Sequence, residues 1–353
     1  MPDSSRTQPV AFNCEGGLVL NRSNFIMQPG EALELENFEP DISGGYRRIS
    51  GFRKYVNAIV PQTSSSSELL LMVAKFDNKV LAARGEKIFS AASAELSIAI
   101  ASGTGMTGSG TITVPSTTGF SSSGTLQINS ELFTYTGVTS TTFTGVTRAT
   151  SSTTAATHAK LDVVSESWTE RDTGRTSAKK YNFERFNFDG NEKIILVDQT
   201  NAPVVFNTSL SATDVSTSSV VGSTVVAAYR NHMFYAGKST TPQEIVFSEP
   251  FNEDGFSSGA GAGSIKVDDT VVALKVFRDS LFIFCENRIF KLTGSSLSDF
   301  AVQPVTRNIG CVNGFTVQEF AGDLIFLGPD GLRTVAATAR IGDTELGTIS
   351  KNI

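Results

Sequence analysis

The chain of 353 residues is 40 % apolar and 18 % charged, which supports a large core and excludes a disordered chain. Its 29 Lys and Arg against 35 Asp and Glu give a formal charge of −6, which excludes binding that rests on neutralising many phosphates. Few charges, 31 Gly, 25 Phe and stretches crowded with Ser and Thr point to strands and turns, and so to an all-β protein.

In chain order, the opening MPDSSRTQPV is polar and has no apolar stretch, so it does not read as a secretory leader, and synthesis in a cytoplasm is expected. Residues 1–60 read as an extended N-terminal arm suited to docking. Within it Leu33, Leu35 and Phe38 suit one side of a single helical turn that starts after Pro29-Gly30 and is stopped by Pro40. Gly44-Gly45 then predicts a turn. The following YRRISGFRKY interleaves four cations with Tyr46, Phe52 and Tyr55 and reads as an edge strand with snorkelling arginines rather than as a nucleic-acid contact.

Residues 61–101 predict the first part of a β-propeller and 165–353 its remainder. Between them, 102–164 read as an inserted small β domain. Roughly half the residues from Ser102 to Lys160 are Ser or Thr, a linker-like composition. Their pattern is not that of a linker: Ile112 and Val114, then Leu126, Ile128 and Leu132, then Tyr135 and Phe143 alternate with small polar residues at a period of two, with turns at Gly119, Gly124, Gly137 and Gly145.

Outside the insert one hairpin pattern recurs five times, starting at Phe76, Phe188, Tyr229, Phe277 and Phe320. Each copy has an aromatic residue, a polar turn with Asn or Asp, an apolar strand, a second turn and a second apolar strand. From Phe188 on, the spacing is about 40 to 50 residues, the period of a propeller blade. One four-stranded sheet cannot bury both faces alone, so the blades are expected to pack face to face in a propeller-like ring. The chain ends at ISKNI soon after the last hairpin, so closure borrows a strand from the N-terminal part or the ring stays incomplete.

Little catalytic chemistry is legible. Cys14, Cys285 and Cys311 are widely spaced with no CxxC, which suggests buried thiols rather than disulfides or a zinc site. The most apolar run, Val271 to Cys285, is broken by Lys275, Arg278 and Asp279, well short of the roughly 20 residues of a membrane helix, so no membrane span is expected. His158 and His232 are the two histidines; His232 suits local packing, and His158 has no charged neighbour in sequence. Asp254, Asp268, Asp269, Asp279, Glu286, Asp323 and Asp330 are acids of the right type for a tunnel glycosidase, yet most sit in turns that favour Asp for backbone reasons. Gly259, Gly261 and Gly263 suit a flexible loop better than a phosphate cradle. No nucleotide, calcium or hydrolase motif occurs, so no catalytic, cofactor-binding or metal-ligating residue is assigned and no cofactor is expected.

Gly16-Gly17, Pro29 to Ala32, Asn37-Phe38, Gly44-Gly45 and Arg47-Arg48 follow one another in an order that resembles the tail nozzle, or tail tubular, proteins of short-tailed bacteriophages. AAYRNHMFYAG, IVFSEPFNEDGF, LFIFCENRIFKLTG and LIFLGPDGLRTV look like the propeller of the same proteins, and the insert is similar to a small phage β module. The resemblance implies a non-enzymatic structural protein of the virion tail, assembled in the host bacterial cytoplasm as a homo-oligomer, a hexameric ring. Its implied partners are the adaptor (head-to-tail connector) proteins and tail fibres, with genomic DNA passing through unbound during ejection. The alternative is a propeller adhesin that binds a host surface glycan with the insert as its reader, although Trp168, the one tryptophan, lies outside the insert.

Overall fold

The hairpin pattern closes on tight turns because Asn and Asp tolerate the left-handed backbone that two-residue hairpins need. Asp77 and Asn78 (φ 42° and 60°) and Arg230 and Asn231 (φ 49° and 64°) occupy such turns. In the computed structural model, which describes residues 16–335 apart from 21–22, 42–44, 59–60, 62–64, 66, 177–178 and 321, these hairpins build five antiparallel blades.

From the inner strand outwards, blade 1 is Leu70–Phe76, Lys79–Arg84, Lys87–Glu95 and Thr169–Asp172. Blade 2 is Asn182–Phe186, Lys193–Val197, Val204–Asn207 and Ala212–Asp214. Blade 3 is Val225–Tyr229, His232–Ala236, Glu244–Phe247 and Gly263–Lys266. Blade 4 is Val271–Phe277, Ser280–Cys285, Ile289–Thr293 and Ala301–Thr306. Blade 5 has three strands among the described residues, Gln318–Phe320, Asp323–Gly328 and Gly331–Thr334. The fold is thus all-β and propeller-like.

The second strands explain the face-to-face packing. Lys193–Val197 alternates across its sheet: Ile194 and Leu196 pack on Phe76, Leu81 and Ile88 of blade 1, while Ile195 and Val197 pack on Val226, Met233 and Tyr235 of blade 3. Phe234 and Phe247 meet Leu274, Leu281 and Ile283 between blades 3 and 4, and Phe284 and Ile289 meet Leu324 and Phe326 between blades 4 and 5. Each fully buried side chain of this size is worth about 1.5 to 3 kcal/mol, so these interfaces carry the fold.

The Ser/Thr-rich stretch lies inside blade 1, between its third and outer strands. Its sheet is continuous with that blade: Val163–Glu166 pairs on one side with Gly124–Ile128 and on the other with the far half of Lys87–Glu95. Leu126, Ile128, Phe133, Phe143 and Val146 form a separate core together with Leu96 and Ile100. Beside that core the wholly buried Glu131 accepts hydrogen bonds from Arg148 Nε and Nη2 (2.9 and 2.8 Å) and from the backbone N–H groups of Ala149 and Ala156. His158 Nε2 lies 2.8 Å from the same carboxylate. Arg148 also donates to the carbonyls of Ala101, Thr104 and Ala156, so one ion pair ties together four loop segments. His158 thus has Glu131 as its near partner, and Asp162, four residues on in sequence, lies 3.9 Å from its Nδ1.

Several local expectations are corrected. The single helical turn after Pro29-Gly30 does not form: Glu31–Ala32 is a strand parallel to Gly17–Leu18, Asn37 takes a positive φ of 61°, and Phe38–Pro40 pairs with Tyr46–Arg48. Leu33 and Phe38 are exposed, so a helical apolar stripe there has nothing to pack on. Gly263 belongs to the outer strand of blade 3, not to a loop, and Ser258–Ala260 is a short 3-10 helix. Cys14, Gly44 and the terminal ISKNI lie outside the described residues.

Burial alone raises the Glu131 carboxyl; the hydrogen bonds from Arg148, Ala156 and His158 outweigh it and bring it from 4.5 to about 2. Its stabilisation is complete above pH 4.5 and is lost as pH falls through about 2. Glu131→Gln leaves Arg148 buried without a counter-charge and is expected to destabilise the inserted module by about 3 to 5 kcal/mol. Thermal melts at pH 7 and at low pH check both statements, since the gap between variant and parent should close in acid. The strands flanking the insert also run side by side, with Leu96 N–H donating to Asp162 O and Leu161 N–H to Leu96 O at 2.9 and 2.8 Å. Replacing residues 97–160 by an Asn-Gly turn is therefore expected to leave one cooperative melting transition, measured by circular dichroism.

Candidate functional site

The inner strands of all five blades converge on one cavity of about 540 Å³. Blade 1 supplies Met72 and Val73, blade 2 Asn182 to Arg185, blade 3 Val226, blade 4 Leu274 and Lys275, and blade 5 Phe315 and Gln318. The inner strand of blade 2, NFERF, puts its charged and amide groups here because its last residue, Phe186, and the buried Tyr181 before it anchor it in the inter-blade cores. Tyr181 N–H also donates to Leu71 O at 3.3 Å, which ties the start of that strand to blade 1.

Phe315 is placed by a short capped turn. Asn313 Oδ1 accepts from Phe315 N–H at 3.0 Å, Thr316 Oγ1 donates to Asn313 O at 2.6 Å and accepts from Leu327 N–H at 3.1 Å. Gly314 is required by close approach, since a Cβ there would sit 2.1 Å from Val272 O of blade 4. The Phe315 ring is left half exposed, with Lys180 Nζ 5.9 Å from its centroid.

Among the described residues Glu184 is the one carboxylate lining the cavity. Burial raises its carboxyl from 4.5 to about 7, against the opposing pull of Lys275, the Ala228 N–H and Arg185. Arg185 and Lys275 make no ion pair within 4.0 Å among the described residues. The cavity thus offers a carboxyl that titrates near neutrality, two cations, two amides and the faces of Phe183 and Phe315. A two-acid hydrolytic arrangement needs a second carboxyl at a set distance from the first.

The acids singled out by type do not converge here. Asp268 pairs with Arg288, Asp330 with Arg333, and Asp269 accepts from the N–H groups of Thr270 and Asn287. Asp323 accepts from Leu324 N–H, Asp279 and Glu286 are exposed, and Asp254 lines a separate depression with Lys193 and Glu253. His232 is buried with Nδ1 2.6 Å from Ser248 O and its ring edge-on to Phe247 and Phe300, so it packs locally. Cys285 and Cys311 are buried free thiols, Cys285 pushed up to about 12 by burial. Trp168 Nε1 donates to Ala58 O and pins the arm to the insert's edge. No group of three or more potential metal ligands occurs among the described residues, and no helix there is long and apolar enough to cross a membrane. Glu184 itself was not singled out in the sequence: NFERF puts Asn182, Glu184 and Phe186 on one side and Phe183 and Arg185 on the other, so neither side is marked as polar, and nothing local says that the strand meets four other blades.

No protein-family model and no curated protein matches the chain. Among solved structures it is similar to Kluyveromyces lactis Hsv2 at 7 % identity and a TM-score of 0.32, covering 78 % of each chain. It is similar to Saccharomyces cerevisiae Sqt1 at 10 % identity and a TM-score of 0.35, covering 74 % of this chain and 82 % of that one. The extracellular domain of a putative hybrid two-component system, BT4673 of B. thetaiotaomicron, aligns at 10 % identity and a TM-score of 0.34 over 78 % of this chain and 32 % of that one. All three are β-propeller proteins, and likeness this weak adds nothing to the blade geometry itself.

The expectation of a tail-tube protein that conducts a genome is corrected: the three structures named above are propellers whose names mention no virion tail, and nothing found here points to a phage. Two of the motifs behind it are blade hairpins: AAYRNHMFYAG is the first hairpin of blade 3, closing on Arg230 and Asn231, and LIFLGPDGLRTV is the outer hairpin of blade 5.

Because burial raises Glu184, its contribution to stability falls as pH rises from 4.5 through about 7. Glu184→Gln is expected to stabilise the protein at pH 8 by about 1 to 2 kcal/mol, discounted for partial exposure, and to change little at pH 4. Urea titrations at the two pH values measure the difference.

Proposed function

We propose that the chain is a binding propeller, not a hydrolase, that holds a surface glycan in its axial cavity. The observation that carries this reading is the composition of that cavity. Asn182, Glu184, Arg185, Lys275 and Gln318 offer donors and acceptors at fixed positions on the inner strands of blades 2, 4 and 5, and Phe183 and Phe315 offer ring faces. Sugars present hydroxyls in plane and apolar C–H faces above and below, which this mixture matches. The volume of about 540 Å³ lies within the range of small-ligand sites and holds a few sugar residues. The reader is thus the axis of the blades rather than the Ser/Thr-rich insert. A single lining carboxyl among the described residues favours binding over two-acid hydrolysis.

Phe315→Ala and Gln318→Ala are each expected to weaken binding at least about tenfold, the loss of roughly 1.4 kcal/mol, in calorimetric titration with the best ligand of a glycan array. Phe52→Ala, on an exposed ring outside the cavity, should leave affinity unchanged. Folded protein that binds nothing on the array, or cavity variants that bind as well as the parent, would overturn the reading.

A further inference from the structure

The chain is acidic as a whole, yet the cavity and its rim are not. A second depression of about 280 Å³ shares Asn182, Gly314 and Phe315 with the axial cavity and is lined by Lys179 and Lys180. A ligand leaving the cavity over the Phe315 ring therefore passes from Arg185 and Lys275 to these two lysines. Both lysines are exposed, and none of the four cations has an ion-pair partner within 4.0 Å among the described residues.

Resting on the glycan reading above, we propose that the ligand is an acidic glycan whose sugars carry carboxylates, seated with one stretch between Arg185 and Lys275 and the next beside Lys179 and Lys180. Four cations against one carboxyl among the described residues, in a chain with a net charge of −6, is a local inversion of sign, and it matches an anion of low charge density. Two pairs joined over one aromatic ring fit several successive charged sugars better than a single monosaccharide. Glu184, raised to about 7, is substantially protonated at neutral pH and donates to a carboxylate rather than repelling it. A nucleic acid has a far denser charge and would be repelled by the acidic body beyond the cavity.

The test is calorimetric titration of the full chain with a galacturonate oligosaccharide, its fully methyl-esterified counterpart and single-stranded DNA of equal length. The acid form is expected to bind at least about tenfold more tightly than the ester, with an advantage that shrinks as salt rises. That advantage should vanish in Arg185→Gln/Lys275→Gln and fall in Lys179→Gln/Lys180→Gln, whose exposed sites leave folding intact. Equal binding of acid and ester would overturn the charge assignment while leaving the glycan reading standing. Failure of both forms, with array glycans still bound, would do the same; failure of every glycan overturns both readings. DNA binding tighter than either sugar would replace the acidic glycan with a nucleic acid.

Discussion

The structure depends on strands that are apolar on both faces. Lys193–Val197, His232–Ala236 and Ser280–Cys285 bury nearly every side chain, so each blade needs a neighbour on either side before its second strand is stable. That requirement lines the blades up around an axis, brings their inner strands together, and makes a cavity at the point where five strands meet. Of the polar groups there Arg185 is exposed, whereas Glu184 is largely buried and accepts from the Ala228 N–H of blade 3.

A second interaction has a different character. The pairing of Glu131 with Arg148 and His158 buries charge in a module made mostly of small polar residues, and it does so with every carboxylate oxygen satisfied. The module has few large side chains to specify its loops, and the network does that instead. It is grafted onto blade 1 through a shared sheet, so the module and blade share backbone hydrogen bonds as well as chain connectivity.

The functional reading follows from where charge is placed rather than from how much there is. Net charge argues against gripping phosphates over the surface at large. At the axis the sign is reversed, by residues that lie far apart in sequence: Lys179, Lys180 and Arg185 at the start of blade 2, Lys275 within blade 4. An aromatic ring from the threshold of blade 5 joins the two halves.

Much of the fold was legible in the residues alone. Hairpins announced by an aromatic, an Asn or Asp turn and an apolar run fall where Phe76, Tyr229 and Phe277 end inner strands, because period-two burial and left-handed turn residues are local properties of the chain. The alternating Ser/Thr-rich stretch likewise identified itself as strands. Three things were decided only in three dimensions. The outer strand of blade 1 is separated from the third by the whole stretch between Glu95 and Thr169, which contains the insert, so no local pattern assigns it. The single helical turn expected after Pro29-Gly30 gave way to short strands, because backbone pairing was available and an apolar partner surface was not. The cavity, with Glu184 at its wall, exists only once blades distant in sequence converge. Periodicity says which side of a strand is polar, while tertiary packing says what that side faces.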